Sequence, residues 1–162
     1  MSAPQVKIEK KIIGWREFIK LPNLGIKKIK VKVDTGAATS ALHAEDIVIF
    51  EKHGKKLVRF TIYPLQNNKR KKLIAEAALV ETRKIRSSTG HLTERPVIRT
   101  LLKIGTEEAY EIDVTLVNRD IMGFRMLLGR RALKKRFLVN PNKSFLLSEN
   151  PVKKNLSHKK HG

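Results

Sequence analysis

The sequence holds no cysteine among its 162 residues, which excludes a disulfide framework, a thiolate nucleophile and a cysteine-built zinc site. Acidic residues are scarce as well. Asp+Glu 15 stand against Lys+Arg 35, giving a formal net charge of +20 and a sequence pI near 10.5. A balance of this kind points to an anionic partner: nucleic acid, an anionic membrane or an acidic peptide. Aromatic residues make up only 6%, few for a surface that stacks nucleic-acid bases. No apolar run approaches the length that spans a membrane, and Met1-Ser2-Ala3-Pro4-Gln5-Val6-Lys7 lacks the apolar core of a secretion signal. The expectation is a cytoplasmic protein without membrane contact, long enough for one domain with its own core.

Cofactor signatures are missing too. No Gly-rich loop followed by Lys-Ser/Thr is present to cradle ATP phosphates, and none of His43, His53, His91, His158 and His161 belongs to a His-Glu-x-x-His pair. His43-Ala44-Glu45 matches the first half of the deaminase signature, but the Pro-Cys-x-x-Cys half is absent. No metal and no cofactor are expected.

What the chain does have is centred on residues 31–44. Ile29, Val31 and Val33 alternate with Lys28, Lys30 and Lys32, the period-2 pattern of a half-buried strand. The strand delivers one aspartate onto a small-residue turn, Asp34-Thr35-Gly36-Ala37. Gly36 lets the backbone pass close behind the carboxylate, with its amide free to point at the carboxylate oxygens. The Thr35 hydroxyl can lock the turn, to its own backbone or to a copy of itself across a symmetry axis. Far downstream, Met126-Leu127-Leu128-Gly129-Arg130 is an apolar run that ends in Gly-Arg and leads into a short basic helix over 130–136. Asp-Thr-Gly alone is a weak signal; the two motifs in this order are more specific.

These residues resemble a family of retropepsin-like bacterial proteins, the RimB-like group associated with the glutamate ligase RimK and often labelled ATP-dependent zinc proteases. The resemblance runs from about Ile13 to Leu147. It is carried by Gly14-Trp15-Arg16-Glu17, Leu21-Pro22, Lys32-Val33-Asp34-Thr35-Gly36-Ala37, Thr39-Ser40-Ala41-Leu42-His43-Ala44, Arg86-Ser87-Ser88, Glu94-Arg95-Pro96-Val97-Ile98 and Met126-Leu127-Leu128-Gly129-Arg130. It implies an all-β, closed retropepsin-like (acid protease) barrel with one short helix after Leu-Leu-Gly-Arg. It also implies an aspartic peptidase, acting on poly-glutamate tails of the kind RimK adds to a ribosomal protein. The "ATP-dependent zinc" wording has no support in the residues.

Along the chain, residues 1–10 read as a flexible leader, 11–150 as the peptidase domain and 151–162 as a disordered basic tail. Ile12 to Leu24 reads as a short strand and a turn, with Trp15, the single tryptophan, as a core anchor. Asp46–Phe50 and Val58–Ile62 read as strands, with Pro64 ending the second. Between Lys52 and Lys72 there are eight Lys/Arg and no acid, which suits either a solvated hairpin edge or an anion site. Leu73–Val80 fits strand or helix, and the surrounding rhythm favours strand. Arg83 to Pro96 is polar around Gly90 and suits a hairpin flap closing over a peptide. Val97–Ile104 and Ile112–Leu116 alternate again. Phe137–Val139 and Ser144–Leu147 flank Asn140-Pro141-Asn142-Lys143, a hairpin signal.

Peptide hydrolysis by this route needs two carboxylates that share one proton and one water. The chain supplies one Asp-Thr-Gly, so a homodimer contributing Asp34 twice is favoured. Glu94 is the alternative within one chain. Asp34, Thr35 and Gly36 are the candidate catalytic residues. Ala37, Arg86, Ser87, Glu94, Arg95 and Arg130 are the candidate substrate-binding residues, the arginines suiting carboxylates bidentately. The acid that follows the retroviral Asp-Thr-Gly-Ala turn is replaced here by Ala38, Thr39 and Ser40. Arg130 is thereby left to another carboxylate such as Glu94, to a structural role or to substrate. Ala37 has no hydroxyl to stabilise ionised carboxylates, so activity is expected to extend towards neutral pH. The competing reading is a basic binding module, for RNA or the ribosome or for acidic peptides, that retains the fold without the chemistry.

Overall fold

A computed structural model describes residues 10–65, 69–86, 88–119 and 123–148. Ser87, the tail over 151–162 and all but the last residue of the leader lie outside the described residues. The chain is mostly strand. β1 (Lys11–Gly14) and β2 (Arg16–Leu21) precede a 3-10 turn, Pro22–Leu24, which Gly25 ends in the left-handed conformation at φ 73°. β3 (Ile26–Val33) buries Ile29, Val31 and Val33 and turns Lys28, Lys30 and Lys32 to the other face, as its alternation predicts. Then come β4 (Ser40–His43), β5 (Glu45–Lys52), β6 (Lys55–Ile62), β7 (Leu73–Arg86), β8 (Leu92–Leu102) and β9 (Tyr110–Val117). β10 (Met126–Leu128) leads into the four-residue helix α1 (Arg130–Leu133), shorter than the expected 130–136, and β11 (Phe137–Asn140) follows.

Nine strands form one sheet in the order β2-β3-β10-β4-β9-β8-β7-β6-β5. One face of it carries the core, in which Ile19, Val31, Leu42, Phe60, Ile98, Val114 and Met126 are essentially inaccessible. β3 and β4 follow one another in sequence but are not neighbours. β10 lies between them, parallel to β3 (Met126↔Val31, Leu128↔Val33) and antiparallel to β4 (Met126↔Leu42). The segment 34–39 therefore arches over the end of β10, and this crossing positions the site.

The closed barrel expected from the resemblance is not formed. The sheet keeps two edges, β2 and β5. It curls far enough for Lys20 of β2 to meet Lys103 just past β8, through paired backbone bonds of 2.8 and 3.0 Å, but this is a single bridge and not a ladder. β2 ends one residue later at Leu21, and Pro22 beyond it has no N–H with which to extend the pairing. The expected hairpin around Asn140–Lys143 is also not formed. β11 pairs in parallel with β1 (Lys11↔Phe137 to Gly14↔Asn140), and residues 144–148 form no strand, because their amides are taken up elsewhere. The segment over 12–24, expected as one strand, is two, separated at Trp15.

Candidate active site at the Asp34 turn

β10 ends where the Asp34 turn begins. Asp34 N–H donates to the Leu128 carbonyl at 2.8 Å, so the first residue past β3 extends the ladder to β10. The chain then turns. Gly36 N–H donates to Asp34 Oδ1 at 3.0 Å, and Ala37 N–H to the Asp34 carbonyl at 3.3 Å. A Cβ on Gly36 would lie 3.2 Å from Asp34 Oδ1, a tight contact beside the carboxylate. Asp34 is half-buried, while Thr35 and Gly36 are exposed. The result is one carboxylate with one oxygen fixed by a main-chain N–H at an exposed turn.

The Gly-Arg motif fastens the turn from below. Gly129 N–H donates to Ser40 Oγ at 3.1 Å, Arg130 N–H to the Ala37 carbonyl at 2.7 Å and Arg131 N–H to the Ala38 carbonyl at 3.1 Å. The Arg130 guanidinium reaches back to the Thr35 carbonyl at 2.9 Å. Arg130 is thus a brace on the turn, and it forms no ion pair with Glu94. A Cβ on Gly129 would run into the backbone of Thr39, so α1 packs against the turn only because that residue is glycine.

A second brace was missed in the sequence reading. Glu17 is fully buried, and its carboxylate accepts five hydrogen bonds. Oε2 accepts from Gly14 N–H at 2.7 Å and Leu146 N–H at 2.8 Å. Oε1 accepts from Leu147 N–H at 3.3 Å, Ser148 N–H at 3.1 Å and Ser148 Oγ at 2.6 Å. Ser148 Oγ in turn accepts from Phe18 N–H at 2.8 Å, and Trp15 N–H donates to the Lys143 carbonyl at 2.9 Å. The latch reaches the site through Trp15, whose carbonyl accepts from Val33 N–H at 2.8 Å, next to Asp34. The only signal was the block Gly14-Trp15-Arg16-Glu17 itself. Trp15 is half-buried and meets Phe124 edge-on at 6.1 Å.

The hairpin expected around Gly90 is formed by β7 and β8, paired out to Arg86↔Leu92, with Gly90 at φ 86° in its loop. Its arms carry the remaining candidates. Arg86 and Glu94 are exposed, Glu94 opposite Lys84, and Ser87 lies outside the described residues. Arg95 is half-buried, and burial first, then the charge of Arg119, holds its guanidinium below the ordinary arginine range. None of Arg86, Glu94 and Arg95 shares a hydrogen bond or ion pair with residues 34–37. Arg83, further along β7, lines a cleft of about 310 Å³ together with Thr39, Arg99, Asp113 and Arg131.

His43, read from sequence against the deaminase pattern, is a buried structural residue. Its Nδ1 donates to the Arg119 carbonyl at 2.9 Å, and its Nε2 lies 3.8 Å from Glu45. The Lys69 ammonium, 3.0 Å from Glu45, holds that carboxyl below the usual range through its hydrogen bond. Among the described residues no three metal-ligating side chains come together.

A family profile described as "Retropepsin-like aspartic endopeptidase RimB" matches residues 12–150. Proteins named "Probable alpha-L-glutamate ligase" from Shewanella pealeana and Parasynechococcus marenigrum are each 44% identical over 138 residues, 85% of this chain, and one from Desulfotalea psychrophila is 42% identical over 142 residues. The chain spans only about 30% of the length of these relatives. A crystal structure of Lpg0085 from Legionella pneumophila, a protein of unknown function, superposes with a TM-score of 0.73 at 29% identity, covering 86% of this chain and all of that one.

Proposed function

The chain belongs to the RimB-like family of retropepsin-like aspartic endopeptidases, and from that premise we propose that it hydrolyses peptide bonds at Asp34, on acidic, glutamate-rich chains. The observation that carries the reading is the turn itself: a carboxylate at the end of β3, one oxygen held by Gly36 N–H, braced by Gly129 and Arg130. One such carboxylate is half of a site. The exposed Thr35 and Gly36 leave the turn open to its copy in a second chain, and a two-fold axis there brings two Asp34 side chains together. With one proton between them, the ionised Asp34 takes a proton from water as the water attacks the scissile carbonyl. The protonated Asp34 gives its proton to the carbonyl oxygen, and collapse of the tetrahedral intermediate returns a proton to the leaving amine. Thr35, Gly36 and Ala37 shape the turn, Arg86, Glu94 and Arg95 sit on the hairpin that closes over the bound chain, and Ser87, next to Arg86 in sequence, is assigned to the same bound chain.

Two further facts support an acidic substrate. The net charge is +20, and the relatives in which this sequence occupies 30% of the length carry the name of a glutamate ligase. The test is incubation of an oligo-glutamate peptide with the wild-type chain and with Asp34→Asn near neutral pH, read by mass spectrometry. Cleavage by wild type alone is the expected result. Equal cleavage by both removes Asp34 from the mechanism, and cleavage by neither favours a basic binding module for RNA or acidic peptides.

A further inference from the structure

Lys28, Lys30 and Lys32 share one face of β3 with Asp34, since all four stand at two-residue spacing along the strand and its first extension. Residues i and i+2 of a strand are about 7 Å apart, so the row approaches Asp34 in steps that match alternate side chains of an extended peptide. Across the β2–β3 pairing, Phe18 stands beside Lys30 and Arg16 beside Lys32. Below Lys30 the face opens into a cleft of about 420 Å³ whose walls include Phe18, Lys27, Lys28, Lys30, Leu65 and Lys71. Its floor is apolar, with Phe18 stacked on Phe145 at 5.0 Å and the Lys28 ammonium over the Phe18 ring at 4.4 Å. Among the described residues Lys27, Lys28, Lys30 and Lys71 enter no ion pair, and no carboxylate lines the cleft. Burial, then the neighbouring Arg16 charge, holds the Lys30 ammonium below its ordinary range, a cost that an incoming anion would relieve.

We propose that this cleft is an exosite that holds the carboxylates of an extended acidic peptide along the Lys28–Lys30–Lys32 row, several residues away from the bond presented to Asp34. The proposal rests on the reading of Asp34 as the peptidase site, and it adds a place where chain length is sensed. Lysine suits this task, because a flexible stem with a point charge accepts successive carboxylates without fixing one register.

The test separates the two claims by measuring binding without chemistry. Fluorescein-labelled deca-glutamate is titrated by anisotropy against Asp34→Asn at low salt, then against Asp34→Asn carrying Lys28→Gln, Lys30→Gln and Lys71→Gln. A control adds Lys52→Gln, Lys55→Gln and Lys56→Gln on the β5–β6 hairpin, which removes the same charge elsewhere. The cleft variant should bind roughly tenfold more weakly, the effect of three exposed ion pairs, while the hairpin control stays close to the parent. Equal weakening in both variants would mean that only bulk charge is at work and would overturn the exosite, as would unchanged binding in the cleft variant. A labelled oligoribonucleotide that binds more tightly than deca-glutamate and depends on the same three lysines would reassign the cleft to nucleic acid. Lysine-dependent binding of deca-glutamate by a wild-type chain that cuts nothing would keep the exosite and reject the peptidase.

Discussion

Replacing Glu17 by glutamine keeps its volume and removes one of two acceptor oxygens, and the structure allows the cost to be worked out. If the new amide NH2 takes the place of Oε2, it faces Gly14 N–H and Leu146 N–H; in the place of Oε1 it faces Leu147 N–H, Ser148 N–H and the Ser148 hydroxyl. Either orientation strands at least two main-chain donors around a fully buried side chain. A buried donor without a partner costs about 1–3 kcal/mol, so the loss is about 2–6 kcal/mol, against the 5–15 kcal/mol that typically holds a domain together. At about 2–4 °C per kcal/mol for a chain of this size, Tm should fall by roughly 10 °C. Thermal and urea unfolding measure it, with exposed Glu51→Gln as the control, expected within about 0.5 kcal/mol of wild type. Amide exchange should accelerate over 146–148, whose N–H groups the carboxylate holds. A Glu17→Gln chain that melts within about 2 °C of wild type and keeps those amides protected would refute the latch.

Gly129→Ala places a Cβ against the Thr39 backbone, where rigid main chain must give way; a loss of about 2 kcal/mol or more is expected by urea unfolding, together with loss of any cleavage that depends on Asp34. Tyr110, whose hydroxyl donates to the Ala132 carbonyl at 2.6 Å, is pushed up by burial to about 12 against the opposing charge of Arg136. A raised folded-state value means the folded chain keeps its proton where the unfolded chain has lost it. The stabilisation is therefore complete below about pH 10 and is lost as pH climbs to about 12. The stability difference between wild type and Tyr110→Phe should accordingly shrink across that window in alkaline urea titrations, and a difference that stays constant would contradict it.

The strands were legible because a period-2 pattern is local: Ile29, Val31 and Val33 announce their burial within one segment. The Asp34 turn and the Gly-Arg motif were legible for the same reason, each being a short run of unusual composition. How they meet was not, since the placement of β10 between β3 and β4 depends on pairings that no local pattern encodes. Ser144–Leu147 read as the return strand of a hairpin on its apolar residues. The structure gives its amides instead to Glu17 and to the Arg16 carbonyl, partners about 130 residues away in sequence. Barrel closure was carried over by resemblance and fails at Pro22, a residue visible from the start, because its missing N–H matters only once Lys20 and Lys103 are known to face each other. Sequence alone leaves Arg130 between several partners, and in the structure its guanidinium meets the Thr35 carbonyl.

The insertion of β10 also sets a timetable. During synthesis β3 and its aspartate leave the ribosome long before Met126–Leu128, and Arg130 reaches back across 95 residues to the turn it braces. Such non-local pairing forms late, after the loop-closure cost has been met. A nascent chain, or a truncated product ending before Gly129, therefore carries Asp34 on a turn with no strand beneath it and no arginine behind it. The Asp34 turn gains its support only once residues 126–130 have been made, so strand order itself delays its assembly.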